Sequence, residues 1–385
     1  MTTFNKDELR EAVVSIHDPK AIEVEIPPKP DNVSETVIPT EHKHHPHNLL
    51  QHYTLIGMAS ELEKAIEEQR PFLGNLCLSG QSSVWYAKPN TGKTLLAMHL
   101  MIEAVTKGGI TPQNIFYIAA DDSAHGLVDK IHIMEEYGIN IIAPGHANFE
   151  TKDFAKIIKA MTHHDAASGI YIVADTLKKF MSLMDKNEGR AFGALIREFT
   201  MKGGTFVALA HTNKQRSGDG KLVYAGTSDV MEDFDCAYVI DELAGGGDTQ
   251  ERIIEFDCTK RRGNVAQSVA YAFTLDSEAS YAGMLSSVRE VDPAAVDAFH
   301  RQAAIRSDAV IIAAISTAIG EGINTKMELA RTVGAREGLG RQSVVKLIER
   351  YTGQDPEVHR WDFSVGERGK KVYVMLPAAE GGAAG

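Results

Sequence analysis

The residues best suited to chemistry run Ala87-Lys88-Pro89-Asn90-Thr91-Gly92-Lys93-Thr94-Leu95. They follow an apolar stretch at 82–86 that reads as a strand and open an apolar helix expected at 95–105. A Gly-Lys-Thr turn in that setting is the pattern of a phosphate-binding loop. Its backbone N–H groups curl around a β-phosphate, and the helix N-terminus adds its dipole. Lys93 would reach the β- and γ-phosphates of ATP, and the Thr94 hydroxyl would be a ligand of Mg²⁺. The pattern departs from the usual one at its first position, where Ala87 replaces Gly.

Such a loop needs acids at neighbouring strand ends. The run Ile170-Tyr171-Ile172-Val173-Ala174-Asp175 supplies a carboxylate for the hydration shell of Mg²⁺. The run at 116–120 ends in Asp121 and Asp122, and Asp121 is the candidate for orienting or deprotonating an attacking water. Capping of the next helix by Asp122 or Ser123 is the alternative reading of that pair. A further apolar strand at 205–210 ends in His211, either a γ-phosphate sensor or a structural histidine.

The elements that must position these residues alternate. Strands are expected at 82–86, 115–119, 170–174 and 205–210, with helices at 95–105, 123–137 and 188–201 between them. Short runs that are apolar throughout, separated by helices, predict a largely parallel sheet buried on both faces, an α/β fold. Later strands at 237–241, 252–258 and 269–275 lack intervening helices and predict an antiparallel extension. The expected organisation is a weakly structured tail at 1–48, an ATPase core at 49–276, a connector at 277–305, a small module at 306–377 and a flexible tail at 378–385. The small module reads as three helices and a hairpin, a winged helix-turn-helix pattern.

The order of these motifs resembles that of the RecA-fold P-loop ATPases, and most closely the hexameric helicases of the DnaB and plasmid RepA type. The resemblance covers about residues 50–276. It includes Gly226-Thr227-Ser228-Asp229 before Asp233-Phe234-Asp235, and the strand turn Lys260-Arg261-Arg262-Gly263-Asn264. It implies that Lys260 and Arg262 reach a neighbouring subunit's nucleotide, as an arginine finger does. It also implies a homo-oligomer, a hexameric ring or a filament, and a DNA-contacting loop that here contains Lys214, Arg216 and Lys221. Two features depart from the family: Asp121 stands where Glu is usual, and residues 1–47 do not read as the family's N-terminal domain.

Composition narrows the setting. The 385 residues carry a formal net charge of −12. The stretch from Arg306 to Pro377 is +2, so the remainder is −14. In the basic module, Arg341, Gln342, Ser343 and Lys346 open the third helix and would present polar groups to DNA, with Arg368, Lys370 and Lys371 on the wing. Winged helices also bind proteins, and that alternative stays open. No apolar run reaches the ~18 residues of a membrane span, so no membrane partner is expected. Absence of an apolar leader and three cysteines without metal spacing point to a cytoplasmic setting. The histidine-rich run at 42–47 reads as solvated linker.

Three functions fit: a helicase-like ATPase of replication or recombination on single-stranded DNA, a strand-exchange or loader ATPase, and a nucleotide-sensing DNA-binding regulator.

Overall fold

The computed structural model describes residues 53–182, 185–216, 222–224, 233–243, 251–275, 280–366 and 369–377; the side chains of 65, 213–216 and 222–224 are outside that set. The expected tails at 1–48 and 378–385, the residues 226–229, Lys221 and Arg368 therefore lie outside the described residues. The chain divides into two compact units, Met1–Lys64 and Ala65–Gly385. Within the first, description begins at Tyr53, and the helix Ala59–Glu67 starts there.

The second unit is built on a ten-stranded sheet. Its elements in chain order are β1 (Ser82–Ala87), α1 (Lys93–Thr106), β2 (Ile115–Ala119), α2 (Ala124–Glu136), β3 (Asn140–Ile142), α3 (Phe154–His163), β4 (Tyr171–Asp175), α4 (Lys186–Met201), β5 (Thr205–Arg216), β6 (Leu222–Tyr224), β7 (Cys236–Glu242), β8 (Glu251–Lys260), β9 (Ser268–Thr274), α5 (Tyr281–Ser286) and β10 (Arg289–Glu290). The strand order is β10-β9-β8-β7-β1-β5-β4-β2-β3, with β6 beside β5. Pairing is parallel from β7 through β3 and antiparallel from β7 to β10.

Side-chain alternation sends each central strand to both faces. Trp85 and Ala87 join the cluster under α1 and α2, whereas Val84 and Tyr86 join the cluster under α3 and α4. Both clusters are aliphatic and aromatic, which explains why these strands read as unbroken apolar runs. The same alternation aims Tyr117 toward α1 and Ile118 toward α3.

Three expectations are revised. The strand expected to end at residue 210 continues to Arg216 and pairs antiparallel with β6, Thr212 opposite Tyr224 and Arg216 opposite Leu222. Within the stretch read as a loop, residues 214–216 and 222–224 thus belong to paired strands. The strand β3 and the helix α3 are additional to the expected elements. Finally, the 277–305 segment is structured: α5 and β10 lie in it, and the helix α6 (Pro293–Gly320) runs through the expected boundary at 306.

Asp292 caps α6, accepting from the Ala294 N–H at 2.7 Å, and Pro293 occupies its first turn. By length and composition α6 is apolar enough to cross a membrane, with mean hydropathy 1.5 over its most apolar window. Its N-terminal part packs Val296 against Ala270 and Ala272 of β9. Its C-terminal part buries Ile315, Ala318 and Ile319 against α7 (Lys326–Glu337), α8 (Arg341–Arg350) and the hairpin of β11 (Trp361–Val365) and β12 (Lys371–Met375). Trp361 is the largest side chain in that core. It is fully buried, and its Nε1 donates to the Ile348 carbonyl at 2.9 Å. Trp361→Ala is expected to destabilise the C-terminal module by about 3–5 kcal/mol, measured by chemical denaturation.

Candidate functional site

Parallel register brings the candidate residues to one edge. Ala87 pairs with His211, Asp175 with Leu209, and Ala119 with Asp175. The loops leaving β1, β4 and β2 therefore emerge side by side, next to His211 within β5, at the edge where α/β sheets bind ligands. Ala87 is itself the last residue of β1 and buried. An extended strand position needs no glycine, so the departure at Ala87 leaves the turn intact.

The turn proper uses left-handed backbone at Asn90 (φ 62°) and Gly92 (φ 97°). The Thr91 hydroxyl closes it by donating to the Lys88 carbonyl at 2.8 Å. A Cβ at Gly92 would lie 2.7 Å from the Phe273 ring, so this glycine is required by both conformation and contact. Lys93 begins α1 and is 8% exposed. Burial pulls its ammonium below the ordinary value, with the Asp175 charge opposing that shift and Lys130 adding to it.

The Thr94 hydroxyl donates to Asp175 Oδ2 at 2.6 Å. A hydroxyl and a carboxylate at hydrogen-bond distance form a hard-oxygen donor set that suits Mg²⁺. Among the described residues no group of three or more His, Cys, Asp or Glu side chains could hold a metal. Tyr117 also donates to Asp175 Oδ2, at 3.0 Å. Burial, followed by the charges of Asp175 and Asp122, pushes the Tyr117 phenol up, so it keeps its hydrogen.

Neither acid after β2 caps α2; Ser123 does, accepting from the Gly126 N–H at 3.4 Å. Asp122 pairs instead with Lys130 at 2.7 Å. Asp121 is held by Lys178 at 2.7 Å and Lys179 at 2.9 Å, both just past β4. Burial alone would raise the Asp121 carboxyl, but the bonds from the two lysines outweigh it and hold it below the ordinary carboxylate range. His211 lines the same cleft. Burial, then the charges of Lys93 and Lys178, lower its imidazole below the ordinary histidine value. Its Nδ1 is buried without a hydrogen-bond partner among the described residues.

The cleft has a volume of about 400 Å³. Its other wall carries no signal in the sequence: Arg252, Phe273, Tyr281 and Met284 come from β8, β9 and α5. Arg252 Nη1 donates to the Asn90 carbonyl at 2.7 Å, its guanidinium lies 5.9 Å from the Phe273 ring centroid, and it pairs with Glu242. The first of these bonds spans 162 positions of the chain, and no local spacing announces it.

The AAA domain family model matches residues 54–217. The match supports a P-loop ATPase reading of that stretch. No curated protein matches the chain. The matched stretch takes in the phosphate loop, both acid-bearing strands and the strand of His211.

The remaining candidates lie elsewhere. Lys260 ends β8 level with Ala237, and Arg262 follows it. Arg262 pairs with Asp235 at 3.3 Å, and Asp235 in turn accepts from the Ser82 N–H at 3.0 Å. Arg262 therefore stands at the N-terminal end of β1, about 17 Å along the strand from Ala87 at ~3.4 Å per residue. The backbone of Lys214 and Arg216 belongs to β5, and their side chains lie outside the described residues. Arg341, Gln342, Ser343 and Lys346 open α8 at the surface of the C-terminal module.

The two lysines on Asp121 predict a pH effect. Its folded-state pKa is lowered, so the carboxylate persists to lower pH than an unpaired one. Replacing both Lys178 and Lys179 with Met removes that effect. The acid limb of the ATPase pH profile is expected to move to higher pH, which a rate–pH series on the double variant would show.

Proposed function

We propose that this chain is an ATP-hydrolysing, DNA-associated RecA-fold motor, a helicase-like ATPase on single-stranded DNA that works as a homo-oligomeric ring or filament. The observation that carries the reading is the separation of Lys260 and Arg262 from Lys93. Lys260 is level with Val84 and Arg262 lies beyond it beside Ser82, whereas Lys93 follows the other end of β1; that separation supports a role at a second copy's nucleotide rather than at their own. In the ATP-bound oligomer, Lys93 would hold the β- and γ-phosphates, Thr94 and Asp175 would hold Mg²⁺, and Asp121 would orient the water. His211 faces the γ-phosphate, and the neighbour's Lys260 and Arg262 neutralise charge on the leaving group. Mg²⁺ there would offset charge on the β- and γ-phosphates.

The trans arrangement makes a complementation test decisive. Lys93→Ala and Arg262→Ala are each expected to abolish turnover. Mixing them joins an intact P-loop to an intact basic pair at some interfaces, and activity should return to about a quarter of wild type at equal mixing. No recovery in mixed assemblies that form normally argues against the trans role.

The C-terminal module is read as a winged helix whose α8 meets DNA phosphates through Arg341 and Lys346, with Gln342 beside them. Arg341→Ala with Lys346→Ala is expected to weaken single-stranded DNA binding. The log–log salt slope should fall by about 1.4, since each phosphate no longer neutralised accounts for about 0.7. An unchanged slope in fluorescence anisotropy titrations would assign α8 to a protein partner.

A second reading, a nucleotide-sensing DNA-binding regulator, is favoured by one feature: α5 lines the ATP cleft through Tyr281 and leads into α6, and so to the C-terminal module. DNA affinity that depends on nucleotide in a non-assembling protein would select it.

A further inference from the structure

Behind Asp175 lies a layer of groups that the ATPase reading does not use. The face of α2 packed on the sheet carries Leu127 and Met134, both buried and apolar. Lys130 lies between them on the same face and is 7% exposed. An apolar residue there would extend the core, whereas a buried ammonium is costly unless it is well paired. Its partner is Asp122, whose two carboxylate oxygens each lie 2.7 Å from Lys130 Nζ. The same Nζ is 3.5 Å from the Tyr117 hydroxyl and 5.8 Å from its ring centroid. Tyr117 is fully buried and donates to Asp175 Oδ2 at 3.0 Å.

We propose that Tyr117, Lys130 and Asp122 form a positioning relay that orients the Asp175 carboxylate for the hydrated Mg²⁺ of the nucleotide complex. The inference rests on the reading of Thr94 and Asp175 as the metal-holding pair. Two donors meet Asp175 Oδ2, Thr94 and Tyr117. Thr94 has a second duty toward the metal. Tyr117 has none, and it is the donor that holds the carboxylate whether or not Thr94 is engaged. Lys130 sits against the oxygen of Tyr117 and polarises its O–H toward Asp175. Asp122 balances the lysine charge, so the layer adds orientation without adding net charge. Partners of this kind commonly govern metal affinity about 10-fold or more.

The test uses the full chain with a non-hydrolysable ATP analogue and Mn²⁺ as a paramagnetic probe. Tyr117→Phe removes one oxygen, and it should weaken Mn²⁺ binding to the analogue complex about 10-fold while leaving analogue affinity in EDTA unchanged. Lys130→Met should act in the same direction, and Lys130→Arg should restore most of the affinity. Asp175→Asn separates the two levels of the inference. If it leaves Mn²⁺ affinity unaltered, the metal-holding pair is misassigned and the relay falls with it. If it weakens Mn²⁺ binding while Tyr117→Phe and Lys130→Met bind like wild type, the relay alone is overturned. Should thermal melting show that Lys130→Met does not fold, Tyr117→Phe decides the matter.

Discussion

A single hydrogen bond, Thr94 to Asp175, ties the first turn of α1 to the end of β4. It forms because β5 intervenes between β1 and β4 in parallel register, which sets Asp175 level with Trp85, just below the phosphate loop. A one-residue slip of β4 would turn Asp175 to the other face of the sheet. The buried alternation of β1, β4 and β5 between two apolar clusters fixes that register. Core packing is thus what makes the site geometry reproducible, and the charged groups above it need only fine placement.

The antiparallel half of the sheet serves the site in a different way. At one end of β8, Arg252 holds the Asn90 carbonyl while Phe273 of the adjacent strand lies against Gly92. At the other end stand Lys260 and Arg262. In the proposed oligomer one rigid strand therefore braces its own phosphate loop and presents basic groups to the next. The Asp235 carboxylate, shared by Ser82, Arg197 and Arg262, locks the far end of that strand system to the start of β1.

Much of the core is legible in the sequence because each central strand is a short run buried on both faces, and each acid sits at the end of such a run. The phosphate loop, Asp121, Asp175 and His211 follow from that pattern alone. Arg252, Phe273 and Tyr281 do not, since their approach to the loop depends on pairing between segments far apart in the chain. The lysines on Asp121 are equally hidden, because Lys178 and Lys179 read as ordinary surface charges after a strand. The helix α6 is only half legible: Arg306 and Asp308 interrupt its apolar run, yet they lie within one continuous helix, where Asp308 meets Arg350 and Tyr351. Its Asp292-Pro293 start is a local signal of the kind that opens a helix.

That helix has a mechanical consequence. Val296 is seated on the sheet and Ile319 in the C-terminal core, with no break in 28 helical residues between the ends. At 1.5 Å per residue the two anchor points are about 35 Å apart, so tilting the seat by about ten degrees carries the distal end about 6 Å. A continuous helix of this kind couples the sheet mechanically to the C-terminal core.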